Sequence, residues 1–145
     1  MYNEQRAYKS AILALLGLFL LTVLIFTVYG EKIYAMGKPL VTVSPVRLNG
    51  PYDNTAELDL AALRNDENGD YVYIMSAEQA YSRIEYSVRY TPVVVLSKTG
   101  TRFETNAGIA SYNDFGLPGD GSAVLTETAP LKDGMRVLWN GSGRK

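Results

Sequence analysis

The sequence predicts a mainly β protein carrying an N-terminal transmembrane helix, followed by a small β-barrel or β-sandwich domain. Three observations predict it. Residues Ala11 to Val28 read AILALLGLFLLTVLIFTV without a single charge. Past Gly30 the apolar periodicity changes from helical to two-residue, and turn-forming clusters then recur roughly every ten to fifteen residues.

The apolar run comes first. Uncharged positions extend from Ser10 to Gly30, and at about 1.5 Å per helical residue they cover the roughly 30 Å hydrocarbon core of a bilayer once. Ala11, Leu15, Leu18, Leu21, Ile25 and Val28 are the positions expected inside the bilayer. Thr22 and Thr27 are the polar exceptions, and their hydroxyls can bond back to their own helix. A cleaved secretory signal has a shorter core, of about 7–15 residues, closely followed by a small-x-small site. Here the first candidates, Ala35 and Gly37, lie well downstream and sit beside Tyr34 and Met36. A buried helix of a soluble domain keeps a polar stripe that this run lacks. In outline the chain also resembles a pilin subunit, but the acidic residue that bacterial pilins carry near the start of the apolar run is missing: Glu4 lies outside it.

Orientation follows from length more than charge. Arg6 and Lys9 precede the span while Lys32 and Lys38 follow it, so the positive-inside count is nearly balanced. The expected organisation is a cytoplasmic tail at 1–10, a transmembrane signal anchor at 11–29 and a short linker at 30–38. An extracytoplasmic β-domain then occupies 39–140, with a tail at 141–145. Of the 14 basic and 15 acidic residues in the chain, Arg6, Lys9 and Glu4 precede the span. The remainder is slightly acidic, which indicates neither a nucleic-acid surface nor a polybasic lipid-binding patch.

The β elements follow in order. Leu40-Val41-Thr42-Val43 is a short β-branched strand closed by Pro45, and Glu57-Leu58-Asp59-Leu60 alternates before Ala61 to Leu63. Asn65 to Asp70 is a turn centred on Asn68-Gly69, a strong hairpin signal. It leads into Tyr71-Val72-Tyr73-Ile74-Met75. Arg83 to Tyr90 places Ile84, Tyr86, Val88 and Tyr90 on one face, the pattern of a half-buried strand. Pro92 marks a bulge or edge, and Val93-Val94-Val95-Leu96 reads as a continuous apolar segment suited to burial on both sides. Further strands are expected at Arg102 to Thr105, Ala123 to Thr126 and Arg136 to Trp139, giving about seven in all. Trp139, the single tryptophan, is expected to cap the core rather than lie at a membrane interface. The loop from Asn106 to Ser122 is rich in glycine, and no segment after Gly30 carries a long helical stripe.

The order of these pieces adds a further expectation. LAALRNDENGDYVYIM, then IEYSVRYTPVVVL, then LKDGMRVLW together resemble the membrane-proximal β-domain of the HlyD-like membrane fusion proteins, the adaptors of bacterial export pumps. The matching pieces are Ala62-Leu63, Asp66 to Asp70, Tyr71 to Ile74, Val93 to Leu96 and Leu131 to Val137. They cover roughly residues 56 to 139. The form is a reduced one: between Gly30 and Ala56 there is no heptad pattern for a coiled-coil hairpin and no room for a lipoyl-like domain. Residues Lys38 to Asn54 supply at most a first strand.

Little catalytic chemistry is on offer. The chain has no histidine and no cysteine, which removes the usual general base, the thiol nucleophile and the common zinc ligands. Asp66, Glu67 and Asp70 lack the spacing of a calcium loop, and Asp114 with Asp120 offers two carboxylates against the six to eight oxygens calcium takes. No catalytic, metal or cofactor residue is expected. Exposed tips on a β scaffold commonly carry recognition, so the interaction candidates are Asp66, Asn68 and Asp70 on the hairpin and Asn113, Asp114, Phe115 and Asp120 on the glycine-rich loop. The function these readings imply is a non-enzymatic single-pass membrane protein. Its partners would be the lipid bilayer and a membrane transporter or other envelope protein. No nucleic acid is implied, and homo-oligomerisation is left open. The alternatives are an anchored ligand- or cell-wall-binding module, or a structural subunit of an envelope or filament complex.

Overall fold

A computed structural model describes residues 2–49, 55–81, 83–106, 116–139 and 141. The chain divides into two compact units, Met1–Gly37 and Lys38–Lys145.

The first unit is one helix, α1 (Tyr2–Ala35). Its stretch Tyr8–Gly30 is long and apolar enough to cross a membrane, and side chains from Tyr8 to Tyr29 are exposed around the whole circumference. A helix that is apolar on every side needs an apolar surrounding, which a bilayer supplies. Thr22 Oγ1 donates to Leu18 O at 2.8 Å and Thr27 Oγ1 to Val23 O at 2.8 Å, so the two hydroxyls are satisfied within the helix. The helix is longer than the expected anchor at both ends. It runs through most of the expected linker and stops where Gly37 adopts a φ of 80°, leaving residues 36–39 as the non-helical connection.

The second unit is mainly β. Ten strands are described, against about seven expected: β1 (Leu40–Pro45), β2 (Arg47–Leu48), β3 (Thr55–Asp59), β4 (Arg64–Asp66), β5 (Gly69–Ala80), β6 (Arg83–Pro92), β7 (Val95–Thr99), β8 (Arg102–Asn106), β9 (Ser122–Glu127) and β10 (Arg136–Trp139). A 3₁₀ turn, Leu60–Ala62, follows β3, with Asp59 Oδ1 accepting from Ala61 N at 3.1 Å as its cap. Thus Lys38 to Asn49 contributes two strands where one was expected.

Six strands form one sheet in the order β4-β5-β6-β10-β1-β9, and four form another in the order β2-β3-β8-β7. In the larger sheet β9 also pairs with β5, Ile74 opposite Ala123 and Met75 opposite Ser122. The pairings β5-β6-β10-β1-β9 therefore return to β5 and form a circuit. The first strand is held from both sides. Leu138 N donates to Pro39 O at 2.9 Å, Leu40 N to Thr128 Oγ1 at 3.0 Å, and Thr128 N to Leu40 O at 3.1 Å.

Two apolar cores result, and β5 separates them. Tyr73 and Met75 join Val41, Val88, Val124, Leu131 and Val137 in one, with Tyr86, Tyr90 and Trp139 packed against it. Val72 and Ile74 join Ala56, Leu58, Phe103 and Ala123 in the other, beneath the four-stranded sheet. Alternate side chains of a strand point to opposite faces, so β5 is apolar at every position from Tyr71 to Met75 because both faces are covered. On β6 the expected apolar face is realised by Tyr86, Val88 and Tyr90. Trp139 acts in the core as expected, with its ring edge-on to Tyr86 at 5.3 Å and 82°.

Two local expectations are corrected. The hairpin at Asn68-Gly69 is displaced by one residue: Asp66 pairs with Gly69, so Glu67 and Asn68 form the loop. The positive φ, 111°, falls on Gly69, and Asp66 Oδ1 accepts from Asn68 N at 2.8 Å, a local side-chain turn that fixes this alternative. Secondly, Val93 to Leu96 is not buried on both sides. Val93 is buried, but Val94, just before β7, is 63% exposed and Leu96 55%, since β7 stands at the edge of its sheet and pairs, among the described residues, with β8.

Candidate functional site

The sequence-selected hairpin residues are occupied by their own turn. Asp66 accepts from Asn68 N, and its Oδ2 accepts from Tyr90 Oη at 3.1 Å. Asp70 Oδ1 accepts from Asn65 Nδ2 at 2.8 Å. Among the described residues, no group of three or more acidic side chains is placed to hold a metal ion. On the glycine-rich loop, Asn113, Asp114 and Phe115 lie outside the described residues. Asp120 is described and corrects the expectation of an exposed tip: it is 7% exposed, and its Oδ1 accepts from Ala77 N at 2.8 Å. A buried carboxylate bonded to a strand N–H serves the fold.

A depression of about 410 Å³ opens elsewhere, lined by Arg64, Tyr71, Tyr73, Glu127 and the segment Thr128 to Leu131. The sheet topology creates it. Both β4 and β9 pair with the same side of β5, β4 at Gly69 to Tyr71 and β9 at Ile74 and Met75. The two strands must part between these stretches, and Arg64 on β4 reaches Glu127 on β9 across the gap. Nη1 and Nη2 of Arg64 donate to Oε1 and Oε2 of Glu127, a bidentate pair in which each side chain is about four-fifths covered. Planar fork-to-carboxylate bonding of this kind fixes orientation as well as adding energy.

The floor is aromatic. Tyr71 stacks on Tyr90 with centroids 4.5 Å apart at 26°, and Tyr73 meets both edge-on at 5.6 and 6.2 Å. The Arg64 guanidinium lies 5.4 Å from the Tyr73 ring centroid, within cation–π range. Tyr73 Oη donates to Leu131 O at 3.0 Å, and Tyr90 N donates to Asp133 Oδ1 at 2.8 Å, which ties the segment Thr128 to Asp133 over the rings.

The electrostatics follow from these contacts. The hydrogen bond from Arg64 holds the Glu127 carboxyl below its ordinary pKa, against the opposing effect of burial. The Arg64 pKa is raised, first by that same bond. Burial pushes the Tyr73 phenol above its usual value. One polar group is left over: Arg64 Nε is buried and finds no acceptor among the described residues. The site therefore presents a neutralised ion pair, a threonine side chain and aromatic rings.

Sequence reading missed this site. Tyr71 and Tyr73 read simply as positions of a strand, and nothing at Arg64 or Glu127 announces a pair separated by 63 positions. The one available signal was the set Tyr71, Tyr73, Tyr86 and Tyr90, four of the 11 tyrosines, on strands whose alternation puts the rings on one face. Comparisons with protein-family models, curated proteins and solved structures return no match to this chain.

Proposed function

We propose that this chain is a non-enzymatic, single-pass membrane protein whose β-domain lies outside the cytoplasm and docks on a membrane partner, an export or efflux transporter. The observation that carries the reading is α1. Its Tyr8–Gly30 stretch is long and apolar enough to cross a membrane, and only residues 36–39 separate the helix from a folded β-domain. Confining a domain to two dimensions raises its effective concentration beside other membrane proteins without any new contact. The ordered resemblance of residues 56 to 139 to an adaptor's membrane-proximal domain supports a transporter as that partner. In this reading the short stretch before the span is cytoplasmic, on the ground of length, since the charges flanking the span are nearly balanced.

Two measurements test this. Alkaline carbonate extraction should leave the chain in the membrane pellet, and protease added to intact cells or spheroplasts should digest the β-domain. Crosslinking followed by purification in mild detergent should then recover a transporter. Release by carbonate removes the anchor from the reading, and recovery of an ordered homopolymer in place of a transporter replaces docking with a structural role.

A further inference from the structure

We propose that the depression between β4 and β9 is a binding site for a neutral sugar ring. The proposal is independent of transporter docking and rests on the chemistry of the lining. A volume of about 410 Å³ lies within the range of small-ligand pockets, about 300–1,000 Å³. What selects the ligand class is charge. Arg64 and Glu127 satisfy each other through two parallel bonds, so an anionic ligand meets the Glu127 carboxylate and a cationic one meets the guanidinium. A wholly apolar ligand is disfavoured as well, because it would strip water from the exposed edges of the pair and from Thr128 without replacing the hydrogen bonds.

A neutral polyhydroxylated ring meets all of these demands. Its hydroxyls both donate and accept. They can give to the remaining lone pairs of Glu127 and accept from the outer Nη–H groups of the Arg64 guanidinium, whose side chain keeps about a fifth of its surface exposed. Its C–H faces are apolar and suit the tyrosine rings at the floor. The site is also rigid before any ligand arrives. Tyr71 is backed by Tyr90, Tyr73 is tethered to Leu131 O, and Arg64 is clamped by Glu127. Such prior ordering lowers the entropic cost of binding.

The test uses the full chain in a detergent without a sugar headgroup, since alkyl glycosides would compete. It is titrated by calorimetry with maltotetraose, cellotetraose and the N-acetylglucosamine tetramer, with the glucosamine tetramer and the galacturonic acid tetramer as charged comparators. Saturation-transfer NMR identifies the protons in contact. At least one neutral tetrasaccharide is expected to bind with a Kd of about 1 mM or tighter, with the strongest transfer to ring C–H protons, and charged comparators at least tenfold weaker. Tyr71→Leu should weaken binding at least tenfold. Ala129→Met, which fills the depression from an exposed position outside both cores, should do the same and covers the case in which Tyr71→Leu does not fold. Tyr81→Ala, at the far hairpin tip, should leave binding unchanged. The proposal is overturned if no neutral sugar binds up to 10 mM, about −2.7 kcal/mol, if a charged comparator binds as well or better, or if Ala129→Met leaves binding intact.

Discussion

Gly119→Ala should destabilise the β-domain far more than an ordinary glycine substitution, for two separable reasons. Gly119 has a φ of 80°, and a Cβ built there would lie 2.5 Å from Met75 Cε and 2.7 and 2.9 Å from Trp139 Cζ3 and Cε3. Carbon atoms attract best at about 3.5–4.0 Å, so these are clashes. The left-handed backbone costs an L-residue about 1–2 kcal/mol, and overfilling a packed core costs typically about 1–3 kcal/mol more. Together they remove about 2–5 kcal/mol from a domain whose total is of the order of 5–15 kcal/mol. Gly116→Ala is the control: its φ is 61° and nothing among the described residues lies within 4 Å of the added carbon, so it carries the backbone cost alone. Guanidinium unfolding of the full chain, followed by the emission of its single tryptophan, Trp139, reads both variants at the site of the clash. The Met75 methyl is the flexible end of a side chain while the indole is rigid. Met75→Ala should therefore relieve only part of the Gly119→Ala penalty in a double-mutant cycle. Equal destabilisation by Gly119→Ala and Gly116→Ala would refute the close-packing argument.

Other perturbations probe different parts of the molecule. Asp120→Ala removes the acceptor of a buried Ala77 N–H and should cost about 1–3 kcal/mol, whereas Asp120→Asn, which keeps an oxygen, should cost less; chemical denaturation distinguishes them. Because Arg64 holds Glu127 below its ordinary pKa, the stabilisation it gives is complete above the usual carboxylate range and is lost as pH falls through the lowered value. Glu127→Gln should flatten that acid limb, leaving the part due to Glu104, whose carboxyl is lowered first by the Thr55 hydroxyl and then by Ser97. At the other extreme, burial raises Tyr73 and Tyr86 above their usual 10.0. Their contribution is therefore complete below about pH 10 and is lost as pH rises through the raised values. Melts of Tyr73→Phe and Tyr86→Phe across pH 9 to 12 should show a shallower alkaline decline. Leu21→Arg places a charge mid-span, at about 2.5–3.5 kcal/mol on insertion scales, and should shift part of the chain out of the carbonate-resistant fraction.

Legibility from sequence tracked the range of the interactions involved. The span of α1 and the strands β5, β6, β8, β9 and β10 were readable because each is written in consecutive residues as an uninterrupted apolar run or a two-residue alternation. Tyr86, Val88 and Tyr90, like Val137 and Trp139, share a face for that reason. Val93 to Leu96 failed because an apolar run states only that burial is affordable, while edge position is decided by which strands arrive on either side. Asp120 misled because turn chemistry and a buried acceptor use the same residue type. The Arg64–Glu127 pair depends on β4 and β9 competing for one flank of β5, a fact of topology with no local trace. The hairpin was placed one residue late because an Asp66 side chain outcompeted the backbone geometry that Asn68-Gly69 alone would favour.

The double burial of β5 has a consequence for how the chain finds its fold. In most strands a slip of one residue throws the apolar side chains into water, and that penalty sets the register. Between Tyr71 and Met75 a slip would merely exchange Tyr73 and Met75 with Val72 and Ile74 between two apolar cores. Hydrophobicity is blind to the error. Volume is left to detect it, since the space holding the tyrosine rings is too large for valine and isoleucine, and the space beside Phe103 is too small for tyrosine. The Asp66 to Gly69 turn, which fixes where β5 begins, is thus the proofreading element of the strand, and its loss should show first as misregistered folding during synthesis.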